Sequence, residues 1–554
     1  MRLLSCVGSI ASTLLILHSA DAGMTGLGHL VKRPTFPEDR EFQAELAAAI
    51  ASGTVKNATF RQLIDHRRPE LGTFSQRYFY NSEWYVGPGA PIILRTPDEA
   101  EVWPGYTKNN SQAAVFAKTN GAAVVALEHR YYGKSSPFTN LTTTNLQHLT
   151  LENAIQDVIY FAKNVVLPFD VKRSSSPDKA PWVLTGCSYA GSLSAWIHRL
   201  YPGTFWAHHC SSAPVEAITD FWQYFEPARE AMPKNCSTDL VNVVKHIDQV
   251  LSSGDAKAAY ALKKKFGFEA LSHNDDFGFA ILTPFWYLQN RWFGDSGADP
   301  FYRFCDYIEN VFPNTTHPAR LPGPEGVGVE KALDGYAKWS TEAYIPGWCK
   351  GYDYWTKESN TSVVCWDTYN ERSPLYHDYR VDNAADRQWM WMLCNEAFEW
   401  WQVAGPRGVS PGYVSKFVDT EYNHHQCAKL FPREGNHTYG LNLGRSPATV
   451  NRWTGGWGGW GDEKPLRRIM FASGEWDEWR AATVSSDRRP GGRLKSTPDA
   501  PVWVIPNGTH CEDASYKNAQ ANPALAKIFD EMMVKMHAWI DEFYIERRLT
   551  RPAF

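Results

Sequence analysis

The chain carries no long block of lysine and arginine, and its formal net charge is only -4, so the electrostatic footprint of a nucleic-acid binder is missing. Beyond the N-terminus no apolar run reaches about 18 residues, the length that begins to span a bilayer. No HExxH helix, phosphate-binding glycine loop or dinucleotide fingerprint occurs. The ten cysteines form no paired Cys-x-x-Cys zinc pattern. The neighbouring pairs His208-His209 and His424-His425 are poorly spaced to share one metal, so solvated or hydrogen-bonded histidines are the plainer reading. No metal and no cofactor are expected. Internal repeats and low-complexity tracts are absent too.

What is present is the balance of a large globular protein. Hydrophobic residues make up 43% and charged residues 21% of 554. That length exceeds the size, roughly 250–300 residues, at which single cores stop growing, so more than one structural unit is expected. Aromatics reach 14%, with 23 tryptophans, and supply large buried area per residue.

The first residues read as a secretory signal: Arg2, an apolar stretch from Leu3 to Leu17, and a small-x-small site at Ala20-Asp21-Ala22. A membrane anchor is the alternative, but the cleavage site favours removal of residues 1–22. The expected destination is extracellular, with a vacuole or lysosome as the alternative and no membrane attachment after cleavage. Cys6 leaves with the signal. Nine cysteines remain, and in an oxidising compartment they read as disulfides with at least one thiol left over. Cys187 and Cys210 fall at the ends of consecutive strand-like runs. They are candidates for a bridge, although two small buried thiols is the slightly preferred reading. Asn-x-Ser/Thr acceptors at Asn57, Asn109, Asn140, Asn235, Asn314, Asn360, Asn436 and Asn507 fit the same route.

Short apolar runs at 91–94, 122–127, 182–185, 204–209, 468–472 and 501–505 read as buried parallel strands. Helical periodicity lies between them. Ile155, Val158, Ile159 and Ala162 share one face behind a capping Thr150, and Leu193, Trp196, Ile197 and Leu200 share another. Alternating strands and helices predict an α/β fold whose parallel sheet is covered on both faces. The pattern breaks over a Trp- and Tyr-rich block. The expected organisation is therefore a sheet domain in two parts, 23–215 and 446–554, interrupted by a mainly helical cap over 216–445. Residues 23–60 read as an N-terminal extension of the first part, with a helix near 41–52.

In PWVLTGCSYAGSLSAW, residues 181–196, Ser188 follows a strand run and precedes a helix, with small neighbours Gly186, Ala190 and Gly191. That is the setting a nucleophilic serine on a tight turn needs. The helix N-terminus and the Tyr189 N–H suit a developing oxyanion. A serine nucleophile needs a base and an acid that orients it, in the order Ser, Asp, His on this kind of sheet. Asp477 lies just beyond one late strand run and His510 just beyond the next. Glu475 and Glu478 flank Asp477 as surface charges or pocket groups, and His129 stands at a strand end as a possible site-lining group.

The motifs GTFSQRYFYN (72–81), LEHRYYGKSSPF (127–138), TGCSYAG (185–191), SAPVEAITDFWQYF (212–225), GPEGVGVEKAL (323–333), DRQWMWMLCNEAF (386–398), NRWTGGW (451–457), SGEWDEW (473–479) and NGTHCED (507–513) span nearly the whole chain. Together they resemble the prolyl-specific serine peptidases that include lysosomal Pro-X carboxypeptidase and dipeptidyl peptidase II, and most of all the secreted acid prolyl endopeptidases of fungal type. The resemblance implies an α/β-hydrolase fold with a helical cap, a Ser188–Asp477–His510 triad, and cleavage of proline-containing peptides or proteins after proline at acidic pH.

Three departures from that pattern stand out. Cys187 replaces a usual glycine, and Glu478 a common proline. Asp98 occupies a glycine position in the loop TPDEAE, where a free carboxylate facing the oxyanion would oppose catalysis. A compact proline ring calls for an apolar, aromatic pocket. The candidates are Trp453, Trp457 and Trp479, with Glu396 and Glu99 as groups that could hold a substrate N-terminus. An esterase using the same triad, and a non-catalytic member of the fold, are the competing classes.

Overall fold

The computed structural model describes residue 44 and residues 47–553, apart from 109, 292, 294–298, 312–321 and 462–464. The expected signal segment and the candidate acceptors Asn109 and Asn314 lie outside the described residues. An eight-stranded sheet forms the centre. Its strands are β1 (Val55–Leu63), β2 (Thr73–Asn81), β3 (Ile92–Arg95), β4 (Ala123–Leu127), β5 (Trp182–Cys187), β6 (Ala207–Ser211), β9 (Ile469–Gly474) and β10 (Val502–Ile505). They lie in the order β1-β2-β4-β3-β5-β6-β9-β10. β1 and β2 are antiparallel to their neighbours, and all other pairs are parallel.

The six apolar runs are the six parallel strands. β1 and β2 escaped the pattern because β1, VKNATFRQL, is largely exposed and β2, TFSQRYFYN, sets polar residues among its buried aromatic positions. Residues 55–60 are therefore sheet edge, not extension. The parallel strands are covered on both faces, as their continuous apolar character requires. Ile92, Leu94, Val125 and Leu184 pack with the helices Leu151–Asn164 and Ser188–Leu200. The alternate residues Ile93, Val124, Val183 and Met470 pack with the helices Gln112–Asn120 and Pro523–Arg547. Each such aliphatic side chain, removed from water, contributes about 1.5–3 kcal/mol. Thr150 caps its helix as expected, accepting from the Asn153 N–H at 3.2 Å.

Between β6 and β9 the chain builds a largely helical cap, with one short parallel pair, β7 (Ile218–Asp220) and β8 (Glu399–Trp401). Its core is aromatic: Trp339 stacks on Tyr344 at 4.9 Å and Trp348 on Trp366 at 5.6 Å. Three disulfides lie within it, Cys236–Cys305, Cys349–Cys365 and Cys394–Cys427.

The fourth disulfide joins Cys187 to Cys511, which corrects both readings of Cys187. In the parallel register of β5 and β6, Gly186 faces Cys210 and Cys187 faces Ser211. Successive strand residues alternate faces, so Cys187 and Cys210 point to opposite sides of the sheet and cannot meet. Cys210 is a free, buried thiol.

Candidate active site

β5 ends at Cys187 and a helix begins at Ser188, leaving no room for a loop. The turn is closed by backbone strain: Ser188 has φ +56°, a left-handed conformation that a non-glycine residue adopts at a cost. Two glycines are required around it. A Cβ at Gly186 would stand 2.2 Å from Thr96 Oγ1 and 2.3 Å from the Ala190 carbonyl oxygen, and one at Gly191 would stand 2.6 Å from the Ser211 carbonyl oxygen. Ser188 is only 2% exposed. The first N–H groups of its helix, Tyr189 among them, have no partner within the helix and form the positive end of its dipole.

Asp477 and His510 meet beyond the ends of β9 and β10. His510 Nδ1 donates to Asp477 Oδ1 at 2.8 Å, and the Trp479 N–H donates to the same oxygen at 3.0 Å. The pair is buried, with Asp477 fully enclosed. His510 Nε2 is also buried and has no hydrogen-bond partner. With Nδ1 donating to the carboxylate, Nε2 presents its lone pair and can accept a proton.

The loop behind His510 is held residue by residue. The Cys511 N–H donates to Ser212 Oγ at 3.0 Å. Glu512 accepts from the N–H groups of Thr509 and Phe293. Asp513 accepts from His209 Nε2 at 2.8 Å and from the Ser211 hydroxyl, and these bonds hold its carboxyl below the usual range against the cost of burial. His209 thus has its own partner, and His208 has another in Ser194.

The loop after β3 borders the turn. Thr96 Oγ1 donates to the carbonyls of Ala190 (2.7 Å) and Thr185 (3.0 Å). Asp98 does not stand alone: burial raises its carboxyl above the usual range, and buried Arg95, which donates to it at 2.8 Å, opposes that shift. Glu99 is different. Both its carboxyl oxygens are buried without a partner, and burial, reinforced by Asp98, pushes it up to about 8. Asp386, which Glu99 feels through space, is pushed up to about 7 by burial. Glu396 instead accepts from Arg445 (3.1 Å) and Asn395 (2.8 Å).

His129 lines the back of the site. Its Nδ1 donates to the Arg130 carbonyl at 2.8 Å, and burial lowers it to about 4, so its neutral Nε2 accepts from the Tyr189 hydroxyl at 3.1 Å.

The three tryptophans fare differently. Trp479 is buried, its ring 6.2 Å from His510 and 5.6–5.8 Å from Phe221, Tyr224 and Trp400. Its Nε1 donates to Gln289 of the cap at 3.0 Å. Trp457 donates to the Thr483 carbonyl and braces the chain after β9. Trp453 stands 37% exposed on the helix Pro447–Thr454, which removes the burial expected of a pocket wall.

Several groups at the site were not foreseen: Asp386, Gln289, and Glu478 as a fully buried carboxyl with both oxygens unpartnered. Nothing in the structure explains Glu478 in place of proline. The Cys187–Cys511 bridge had a signal in the sequence, since one cysteine directly precedes the candidate nucleophile and the other directly follows the candidate base.

The strand order, with a strained serine turn after the fifth strand and the ends of the last strands bringing a carboxylate to a histidine, defines an α/β-hydrolase. Within that class the chain belongs to the serine carboxypeptidase S28 family, a family of serine peptidases, whose model matches residues 62–283. It is 38% identical over 497 residues to the serine protease vicPb of Bipolaris victoriae, covering 89% of this chain and 90% of that one. It is 28% identical over 506 residues to the Arthroderma benhamiae protein named "Probable extracellular serine carboxypeptidase", covering 84% and 65% of the two chains. Against the human thymus-specific serine protease the identity is 24% over 505 residues, covering 88% of each.

Proposed function

We propose that this protein is a secreted serine peptidase that cleaves peptide bonds after proline at acidic pH, with Ser188 as nucleophile, His510 as base and Asp477 as its orienting acid. The observation that carries the reading is the buried 2.8 Å Asp477–His510 pair, whose free Nε2 belongs to a loop tied to the residue beside the strained Ser188. Ser188 Oγ attacks the prolyl carbonyl while Nε2 takes its proton. Asp477 holds the tautomer and stabilises the imidazolium, and the Tyr189 N–H receives the oxyanion. Nε2 then protonates the leaving amine, and water hydrolyses the acyl-enzyme.

Proline specificity is supported by the apolar, aromatic surroundings of His510, where the Trp479 ring lies 6.2 Å from the imidazole and packs on Phe221, Tyr224 and Trp400, an environment suited to a ring without an N–H. An acidic optimum is supported by Glu99, whose buried, unpartnered carboxyl is pushed up to about 8, stays uncharged at acidic pH, and adds a negative charge within reach of Tyr189 as pH rises. Secretion and glycosylation are supported by the exposure of Asn57, Asn140, Asn360, Asn436 and Asn507 and the partial exposure of Asn235.

Labelling by a fluorophosphonate and turnover of a proline-containing peptide series test the reading. Wild-type protein is expected to be labelled and to cleave after proline, and Ser188→Ala to do neither. Labelling or turnover that survives Ser188→Ala sinks the assignment, and turnover of simple esters without peptides favours the esterase class.

A further inference from the structure

The residue before Ser188 and the residue after His510 are bonded to each other, although they belong to two chain segments that the sheet itself holds apart. β5 and β10 are separated by β6 and β9, so their strand ends stand roughly 14 Å apart at the usual interstrand spacing. The loop after β10 must arch back over two strands to carry His510 to the turn. It begins by following the end of β9, where the Trp476 N–H donates to the Gly508 carbonyl at 2.8 Å. At its far end the Cα atoms of Cys511 and Cys187 are 5.8 Å apart and the side chains are bonded. A ring nitrogen of His510 lies within 4.8 Å of both sulfurs. The bridge therefore links the residue before the nucleophile to the residue after the base, across 324 positions of sequence.

We propose that the Cys187–Cys511 disulfide is a positioning element of the catalytic site and that a dithiol reductant, by opening it, reversibly lowers the turnover rate of the folded enzyme; this rests on the triad proposed above. Three features separate it from the other bridges. It is the one disulfide outside the cap among the described residues. Cys511 is 9% exposed, against 0–4% for the other seven bridged cysteines, so a reductant meets it first. Its loop keeps other anchors when it opens: the Cys511 N–H to Ser212, Glu512 to Thr509 and Phe293, and Asp513 to His209 and Ser211. Opening thus gives His510 more freedom without releasing the loop, and a misplacement of about 1 Å in a catalytic group can cost 100-fold in rate.

In the reaction, a thiolate of the dithiol attacks one sulfur and forms a mixed disulfide while the other cysteine leaves as thiolate. The second thiol of the reagent then displaces the first cysteine. The S–S bond of the protein takes up two electrons and two protons, and the reagent closes to a cyclic disulfide.

The test compares wild-type enzyme, wild-type enzyme treated with dithiothreitol, the double variant Cys187→Ser/Cys511→Ser, and the double variant Cys349→Ser/Cys365→Ser. Opened cysteines are mapped by alkylation, and folding is followed by tryptophan fluorescence. The expected result is a fall in kcat of about 10- to 100-fold with KM within about twofold, equal in the reduced enzyme and in the first variant. Reoxidation should restore the wild type, and the cap variant should keep its kcat. Unchanged kcat in folded Cys187→Ser/Cys511→Ser overturns the proposal. If that variant does not fold, the reduced wild type decides: a loss of kcat that comes only together with loss of native fluorescence makes the bridge merely structural and also overturns it. Fluorophosphonate labelling of Ser188→Ala is run alongside, so that a failure of the triad is told apart from a failure of the bridge.

Discussion

The sheet domain and the cap solve the same problem, holding long loops in place, with opposite means. The cap uses three bridges of short reach, closing 16, 33 and 69 positions, around a core of stacked aromatic rings. The sheet uses continuous ladders of hydrogen bonds and one bridge of long reach, placed where two strand ends must cooperate. The cap's cross-links therefore stabilise its fold, while the sheet's cross-link sets geometry. Buried carboxyls fall into two kinds around the candidate site. Asp98, Asp477 and Asp513 each have a basic partner at 2.8 Å, whereas Glu99 and Glu478 are buried with both oxygens unpartnered and are raised by burial.

The largest expected effect comes from the sheet side. Asp477→Asn leaves the shape of the site intact but removes the carboxylate that fixes the His510 tautomer, so kcat should fall about ten-thousand-fold with KM little changed. Steady-state kinetics on a prolyl peptide check this, and a loss under tenfold would break the division between rate-setting sheet and stabilising cap.

Gly186→Ala comes next. Its Cβ would stand 2.2–2.4 Å from Thr96 Oγ1 and the Ala190 backbone, pushing the turn away from His510, with about a 100-fold loss of kcat in a protein that still folds. Circular dichroism and active-site titration separate misplacement from unfolding.

Glu99→Gln sharpens the electrostatic half of the comparison. The folded Glu99 binds its proton more tightly than the unfolded chain, whose carboxyl titrates near 4.5. Its stabilising contribution is therefore complete below that value and is lost as pH rises through about 8. Wild-type protein should melt at progressively lower temperature from pH 5 to about 8. Glutamine, which cannot ionise, should flatten that fall by a few degrees, as read by scanning calorimetry. An unchanged slope would show that Glu99 does not carry it.

The smallest effect on activity should follow removal of a cap bridge. Cys349→Ser/Cys365→Ser should cost about 3 kcal/mol of stability, since the bridge closes a loop of 16 positions, with kcat unchanged. Denaturant unfolding and kinetics on the same preparation test both halves.

Most of the fold was legible because its signals are local. Six buried strands announced themselves as apolar runs, and two helices by their periodicity. β1 and β2 did not, since antiparallel strands with polar residues set among the apolar ones read as loop. At the site, Ser188, Asp477 and His510 were legible from their places after strands. The groups proposed to surround the substrate were less so. Of the candidate tryptophans, Trp479 lies 6.2 Å from His510 and Trp453 is exposed, while Asp386 and Gln289 passed unnoticed. A residue's approach to a pocket depends on how the cap folds back, which no spacing in the chain records.

The sequence by itself determined the class of the protein, because alternating apolar runs and amphipathic helices admit few packings and small residues around a serine between strand and helix admit few turns. Only the tertiary structure decided who meets whom across that frame. The register of β5 and β6 forbids the Cys187–Cys210 bridge, and the arch of the last loop creates Cys187–Cys511 instead. Arg95 pairs with Asp98, and Glu99 is left buried without a partner. These are contacts between segments far apart in the chain, fixed by strand order and loop direction, and those are properties of the packed whole.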